Sequence, residues 1–118
     1  MHRGRKNRFD NMGPSMLVTQ VVTLPTNRKP PSHLGEIEVG IWKRVLADYQ
    51  FGTAIAFDVL TTSLEAHMRA REAREAIQRD GMTVIGRDGQ QRPHPLLSVE
   101  RDARAAWLQG LKMLELEL

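Results

Sequence analysis

Gly81-Met82-Thr83-Val84-Ile85-Gly86-Arg87-Asp88-Gly89-Gln90-Gln91-Arg92-Pro93-His94-Pro95-Leu96-Leu97-Ser98-Val99-Glu100-Arg101-Asp102-Ala103-Arg104-Ala105-Ala106-Trp107-Leu108 changes its repeat twice. Before Gly81, apolar residues recur every three or four positions, the mark of a helix with one buried face. From Met82 the repeat shortens to two, and Asp88-Gly89 is a strong turn dipeptide, so a two-stranded hairpin is expected. At Pro95, a good first helical position, the helical repeat returns. Leu96, Val99, Ala103, Ala106, Trp107, Leu111 and Leu114 should form its buried side. Gly110 marks either a close helix crossing or a weak point. A lone hairpin is marginal in water, so this one should lean on a helix or on another subunit.

Two more helices precede this stretch. The first should start near Gly35 as N-cap, with Glu36 and Glu38 in the first turn, where the helix dipole favours carboxylates. Ile37, Ile41, Trp42, Val45, Leu46 and Tyr49 give it one apolar stripe. Gln50-Phe51-Gly52 breaks the pattern. The second helix should run from Thr53, its N-cap, to Asp80, with Gly81 in the left-handed C-terminal position. Ile55, Val59, Leu60, Leu64, His67, Met68 and Ile77 carry its stripe. At 1.5 Å per residue it spans about 40 Å, which is long for one small core to cover. Its second half, Arg69-Ala70-Arg71-Glu72-Ala73-Arg74-Glu75-Ala76, has two readings. It is a solvated face laced with i,i+4 ion pairs, or its alanines let a neighbouring helix come close.

With 118 residues, 41% apolar and only 5% aromatic, the chain suits one mostly aliphatic helical domain. Such a thin core gains from oligomerisation. The absence of cysteine excludes disulfides and thiolate metal sites. No run approaches the roughly 20 apolar residues of a membrane span. The overall +3 charge is unevenly placed. Residues 1–31 hold Arg3, Arg5, Lys6, Arg8, Arg28 and Lys29 against Asp10 alone, so the remainder is net negative. Pro and Gly punctuate this arm, and only Leu17-Val18-Thr19-Gln20-Val21-Val22-Thr23-Leu24 has the composition of an extended segment. The chain thus divides into a basic, weakly structured arm, 1–31, and a helical oligomerisation domain, 32–118. A basic arm suits polyanions such as DNA through phosphate contacts; the plainer reading is a solubilising tail.

Catalytic patterns are missing. Gly81, Gly86 and Gly89 do not form a phosphate loop, because Arg87-Asp88 stands where lysine and a hydroxyl residue belong. His2, His33, His67 and His94 are too scattered for a helical metal site, and His67 reads as a hydrogen-bonded interior or interface residue. No serine or threonine sits in a nucleophile elbow. No enzyme, metal or cofactor is expected. The first two helices could be read as a helix-turn-helix, but Ala54-Ile55-Ala56-Phe57-Asp58-Val59-Leu60 offers no base-reading Arg, Asn or Gln.

Pro30-Pro31-Ser32-His33-Leu34 leads into Ile41-Trp42-Lys43-Arg44-Val45-Leu46. A long Ala- and Arg-rich helix ends in Asp80-Gly81-Met82-Thr83-Val84. His94-Pro95-Leu96-Leu97 and Glu100-Arg101-Asp102-Ala103-Arg104-Ala105-Ala106-Trp107 follow. Taken in order, from Pro30 to Leu114, these pieces resemble the small terminase subunit of tailed double-stranded DNA phages. The apolar Leu17–Leu24 departs from the longer lysine- and proline-rich lead common in that family. The resemblance implies a non-enzymatic protein that binds viral double-stranded DNA, assembles into a homo-oligomeric ring, and presents DNA to the large terminase subunit, which holds the ATPase and nuclease. It implies action in the host cytoplasm, away from membranes. The expected fold is therefore mainly α: a long helical hairpin, a small two-stranded β-hairpin and a C-terminal helix, in a ring-like homo-oligomer. DNA contact then falls to Arg3, Arg5, Lys6, Arg8, Arg28 and Lys29, with Lys43 and Arg44 as second candidates. The rival readings are a phage head or connector assembly protein indifferent to DNA sequence, and a small helix-turn-helix transcriptional regulator.

Overall fold

The computed structural model describes residues 28–116. Arg3, Arg5, Lys6 and Arg8, and the expected extended segment Leu17–Leu24, lie outside them. The described residues form three helices and one small sheet: α1, Glu36–Asp48; α2, Ala54–Asp80; β1, Thr83–Ile85; β2, Gln91–Pro93; and α3, Leu96–Met113. The mainly helical architecture matches the sequence pattern.

Helix α2 is the spine, and both other helices pack on it. Gly35 caps α1 without a side-chain bond. Thr53 caps α2 properly, its hydroxyl accepting from the Ala56 N–H at 3.3 Å. The core gathers where α1 meets the first half of α2. Leu60 and Leu64 are fully buried there, with Trp42, Phe51, Phe57, Leu34 and Leu114 around them. Phe57 is the centre of the aromatic packing. Its ring lies 5.4 Å from Phe51, edge-on, and 6.0 Å from Trp42, tilted. Each such pair adds about 0.5–1.5 kcal/mol beyond its buried area.

The second half of α2 resolves the two readings of its alanines. Ala66, Ala70 and Ala73 are buried, so the small side chains do admit a neighbour, α3. An i,i+4 ion pair survives on the flank, Arg71 to Glu75 at 3.5 Å. At the crossing, Gly110 of α3 faces Ser63 of α2. A Cβ on Gly110 would sit 1.7 Å from the Ser63 hydroxyl oxygen. This glycine marks a close approach and no weak point.

Several positions differ from the sequence pattern. Ile37 and Ile55 were expected on buried stripes but are 51% and 70% exposed. Ala106 is exposed too. Glu38, expected to serve the helix dipole in the first turn, is completely buried. The reason is shared. The buried face of each helix, α2 included, is set by where the helices cross, and a single-helix repeat does not carry that angle. The stripe of α2 is also better covered from within the chain than its length suggested, because α1 and α3 flank it on two sides.

Gly81 ends α2 with φ +86 and ψ 163. The positive φ is as expected, but ψ is extended and not left-handed helical. The chain therefore leaves the helix directly into a strand, a geometry reserved for glycine. Strands β1 and β2 pair antiparallel, with Thr83 opposite Pro93, Val84 opposite Arg92 and Ile85 opposite Gln91. The turn closes through Gly89 N–H to Gly86 O at 3.0 Å, and the Asp88 carboxylate accepts from Gln90 N–H at 3.1 Å. His94 then ties hairpin to helices. Its N–H donates to Met82 O at 2.8 Å, its Nε2 lies 3.0 Å from Asp80 Oδ2, and its Nδ1 accepts from Leu96 N–H at 3.1 Å. An accepting Nδ1 leaves the proton on Nε2, facing Asp80. That hydrogen bond is the main reason the Asp80 carboxyl titrates below its ordinary range. His94 thus does the capping, and α3 starts at Leu96 with Pro95 as its N-cap.

Candidate nucleic-acid interface

The cations singled out in the sequence fall in two places. Arg3, Arg5, Lys6 and Arg8 are outside the described residues. Arg28, Lys29, Lys43 and Arg44 are all exposed. Trp42 ties the first two of these four to the helix that carries the other two. Its indole N–H donates to the Arg28 carbonyl at 3.0 Å, which lays the Arg28–Lys29 segment beside the residue that precedes Lys43. The Arg28 guanidinium stacks on Phe57, 4.5 Å from the ring centre. This cation–π contact fixes the guanidinium while leaving its edge open to solvent.

Helix α1, which carries Lys43 and Arg44, is anchored on α2 at two points one turn apart. One anchor is the Trp42–Phe57 contact. The other is the buried Glu38 carboxylate. Arg71 holds it bidentately, Nε to Oε2 at 3.1 Å and Nη2 to Oε1 at 2.9 Å. His67 Nδ1 lies 2.6 Å from the same Oε2. Burial works to raise the Glu38 carboxyl, but the bonds from Arg71 and then His67, with the Arg71 charge, outweigh it and hold it below the ordinary carboxylate range. Arg71 is raised in turn, first by its bond to Glu38. His67 also stands edge-on to Trp107 of α3, with centroids 4.9 Å apart. So His67 is a hydrogen-bonded, largely buried residue at the interface of the helices, in keeping with its place on the stripe, and it links all three helices.

A second concentration of positive charge was not singled out in the sequence. Arg92, Arg101 and Arg104 line an open cleft of about 720 Å³ between the hairpin and the start of α3. Its only sequence signal is the i,i+3 spacing of Arg101 and Arg104 on the polar side of α3. Each arginine already has a carboxylate: Arg92 has Asp88 at 3.2 Å, Arg101 has Asp102 at 3.1 Å, and Arg104 has Glu100 at 3.4 Å. Arg74 shares Glu100 at 3.3 Å. By contrast, Lys29, Lys43 and Arg44 form no ion pair among the described residues. A phosphate must displace a carboxylate in the cleft, whereas at α1 it meets cations that have no carboxylate partner among the described residues. Electrostatics therefore favour α1.

The first turns of α2 are unsuited to reading bases. Ala56, Phe57 and Leu60 are buried, and the exposed positions nearby are Ile55, Asp58 and Thr62. That removes the recognition surface a helix-turn-helix would need. Among the described residues there is no group of three or more His, Asp or Glu able to hold a metal ion, and no helix long and apolar enough to cross a membrane.

A family model described as phage terminase, small subunit, matches residues 40–117, about two-thirds of the 118-residue chain. The match spans most of α1 and all of α2, the hairpin and α3. No curated protein and no solved structure matches the chain.

Proposed function

We propose a function on the premise that this chain belongs to the phage terminase small-subunit family, and so to the machinery of phage DNA packaging. The chain binds viral double-stranded DNA and recruits and regulates the large terminase subunit, the ATPase-nuclease, without catalysing a reaction itself. It works as a homo-oligomeric ring in the cytoplasm of the host. DNA contact runs through the basic arm of residues 1–31, with Arg3, Arg5, Lys6 and Arg8, and continues onto Arg28, Lys29, Lys43 and Arg44. The helical domain of residues 32–118 supplies the assembly. Many copies of a weak phosphate-binding arm, held in one assembly, give strong binding through effective concentration.

The observation that carries this reading is the juxtaposition made by Trp42. The bond ties Arg28 to α1, the helix that carries Lys43 and Arg44, and Lys29, Lys43 and Arg44 have no carboxylate partner among the described residues, which supports the reading that arm and helix contribute to one basic surface. The test is a gel-shift salt series on duplex DNA. Replacing Arg3, Arg5, Lys6 and Arg8 with alanine should weaken binding. It should also flatten the salt dependence by about 0.9 in logarithmic slope for each phosphate that the arm no longer neutralises. An unchanged slope would remove the arm from the interface. Native mass with and without duplex DNA separates this reading from a head or connector protein, which would assemble yet ignore DNA.

A further inference from the structure

Two exposed apolar features sit at opposite ends of α2. At its start, α2 and the end of α3 leave between them a groove of about 350 Å³. Ile55, Val59, Ala106, Gly110 and Met113 form its apolar walls, and Asp58 lies on its edge. Ile55 is 70% exposed and Met113 55%. At the far end of α2 the hairpin projects Met82 and Ile85, which are 70% and 75% exposed. All strand residues but Val84 are exposed. The two ends are separated by nearly the whole of α2, about 38 Å at 1.5 Å per residue.

The charges at these ends are complementary. Asp58 in the groove has no hydrogen-bond or ion-pair partner among the described residues. Arg87, at the tip of the hairpin turn, has none either. Every other arginine of the hairpin and α3 has a carboxylate. An apolar groove with a free carboxylate is thus matched by an apolar hairpin with a free guanidinium. The two cannot meet within one copy, because α2 holds them apart.

We propose that the groove is occupied by the hairpin of a second copy of this chain. Ile85 and Met82 enter between α2 and α3, and Arg87 of the incoming hairpin pairs with Asp58. The contact joins unlike surfaces, so it is heterologous: each copy gives a hairpin to one neighbour and receives one from another, and the series continues until it closes. It accounts for a hairpin too small to be stable alone, and for large apolar side chains left outside the core. The inference rests on the self-assembly proposed above and names the surface that would carry it.

Three sets of variants test it, read by sedimentation and light scattering at micromolar concentration. All substituted side chains are exposed, and circular dichroism checks that each variant folds. Asp58→Arg and Arg87→Glu should each weaken self-association by about tenfold or more, and the double variant D58R/R87E should recover most of it. A groove variant, Ile55→Glu with Met113→Glu, and a hairpin variant, Ile85→Glu, should each be monomeric. Mixed, they should form a one-to-one dimer and nothing larger, because one intact groove and one intact hairpin remain. Self-association untouched by these changes, or a mixture that stays monomeric, overturns the proposal. A wild-type chain monomeric at every concentration also overturns it and assigns the groove to a different occupant. A parallel gel shift keeps the two ideas apart: arm-dependent DNA binding that survives in a variant lacking the contact leaves the DNA-binding role standing while this interface fails.

Discussion

Glu38 is a carboxylate with no access to water, and Arg71 is what makes it tolerable. The two ends of that pair are unequal. Arg71 and His67 keep about a fifth of their side chains exposed, so removing Glu38 lets both turn to solvent. Removing Arg71 strands a buried charge. Arg71→Ala should therefore cost about 3–5 kcal/mol, and Glu38→Gln clearly less, in chemical denaturation. Equal losses would mean that the pair is not the anchor of α1. The pH dependence follows from the lowered Glu38 carboxyl. Its ionised form stabilises the fold at every pH above the unfolded value, about 4.3 for glutamate. That stabilisation drains away as pH falls through the lower folded value. Wild type should lose stability below about pH 4.3, and the acid limb should be shallower in Glu38→Gln. Parallel acid limbs would exclude Glu38 as their source. None of this is legible in the sequence. Two glutamates in a first helical turn look alike there, and only the crossing of α1 over α2 puts one of them under Arg71.

Helices α2 and α3 approach closely where Gly110 passes Ser63. The Ser63 hydroxyl is turned back to Val59 O at 2.7 Å, so it is held in the path of any side chain added at 110. Gly110→Ala should destabilise by roughly 1–3 kcal/mol, the usual cost of overpacking a tight contact. Combining it with Ser63→Gly should recover much of that loss beyond what Ser63→Gly costs alone. A neutral Gly110→Ala in thermal melts would show that the helices part easily. At this scale the sequence is largely readable. Gly35, Thr53, Gly81 and Asp88-Gly89 punctuate the chain where the elements begin and end, because caps and turns are local chemistry. Gly110 is recognisable as a crossing, but its partner is not, since contact between distant segments leaves no mark in a single sequence. The same gap hides the hairpin cleft, whose arginines come from separate elements.

For the molecule as a whole, the arm-to-body charge asymmetry is plain from residue order, and the layering of three helices is not. Covering α2 on two sides leaves less apolar surface outside than its length implied, and the most exposed large apolar side chains, Ile55, Met82 and Ile85, lie at its two ends. If those ends pair between copies, folding and association share one free energy. The melting temperature should then rise with protein concentration across the micromolar range, whereas the groove and hairpin variants should melt at fixed temperatures. A concentration-independent wild type would separate folding from association. One imidazole has a bearing on all of this. His94 is bolted to the last residue of α2, to the first of α3 and to the base of the hairpin, so the hairpin is a bracket and not a hinge. Its azimuth about the spine is settled inside a single polypeptide. Whatever seats itself on that bracket inherits the angle, and any repeating array built from it takes its pitch from one buried ring.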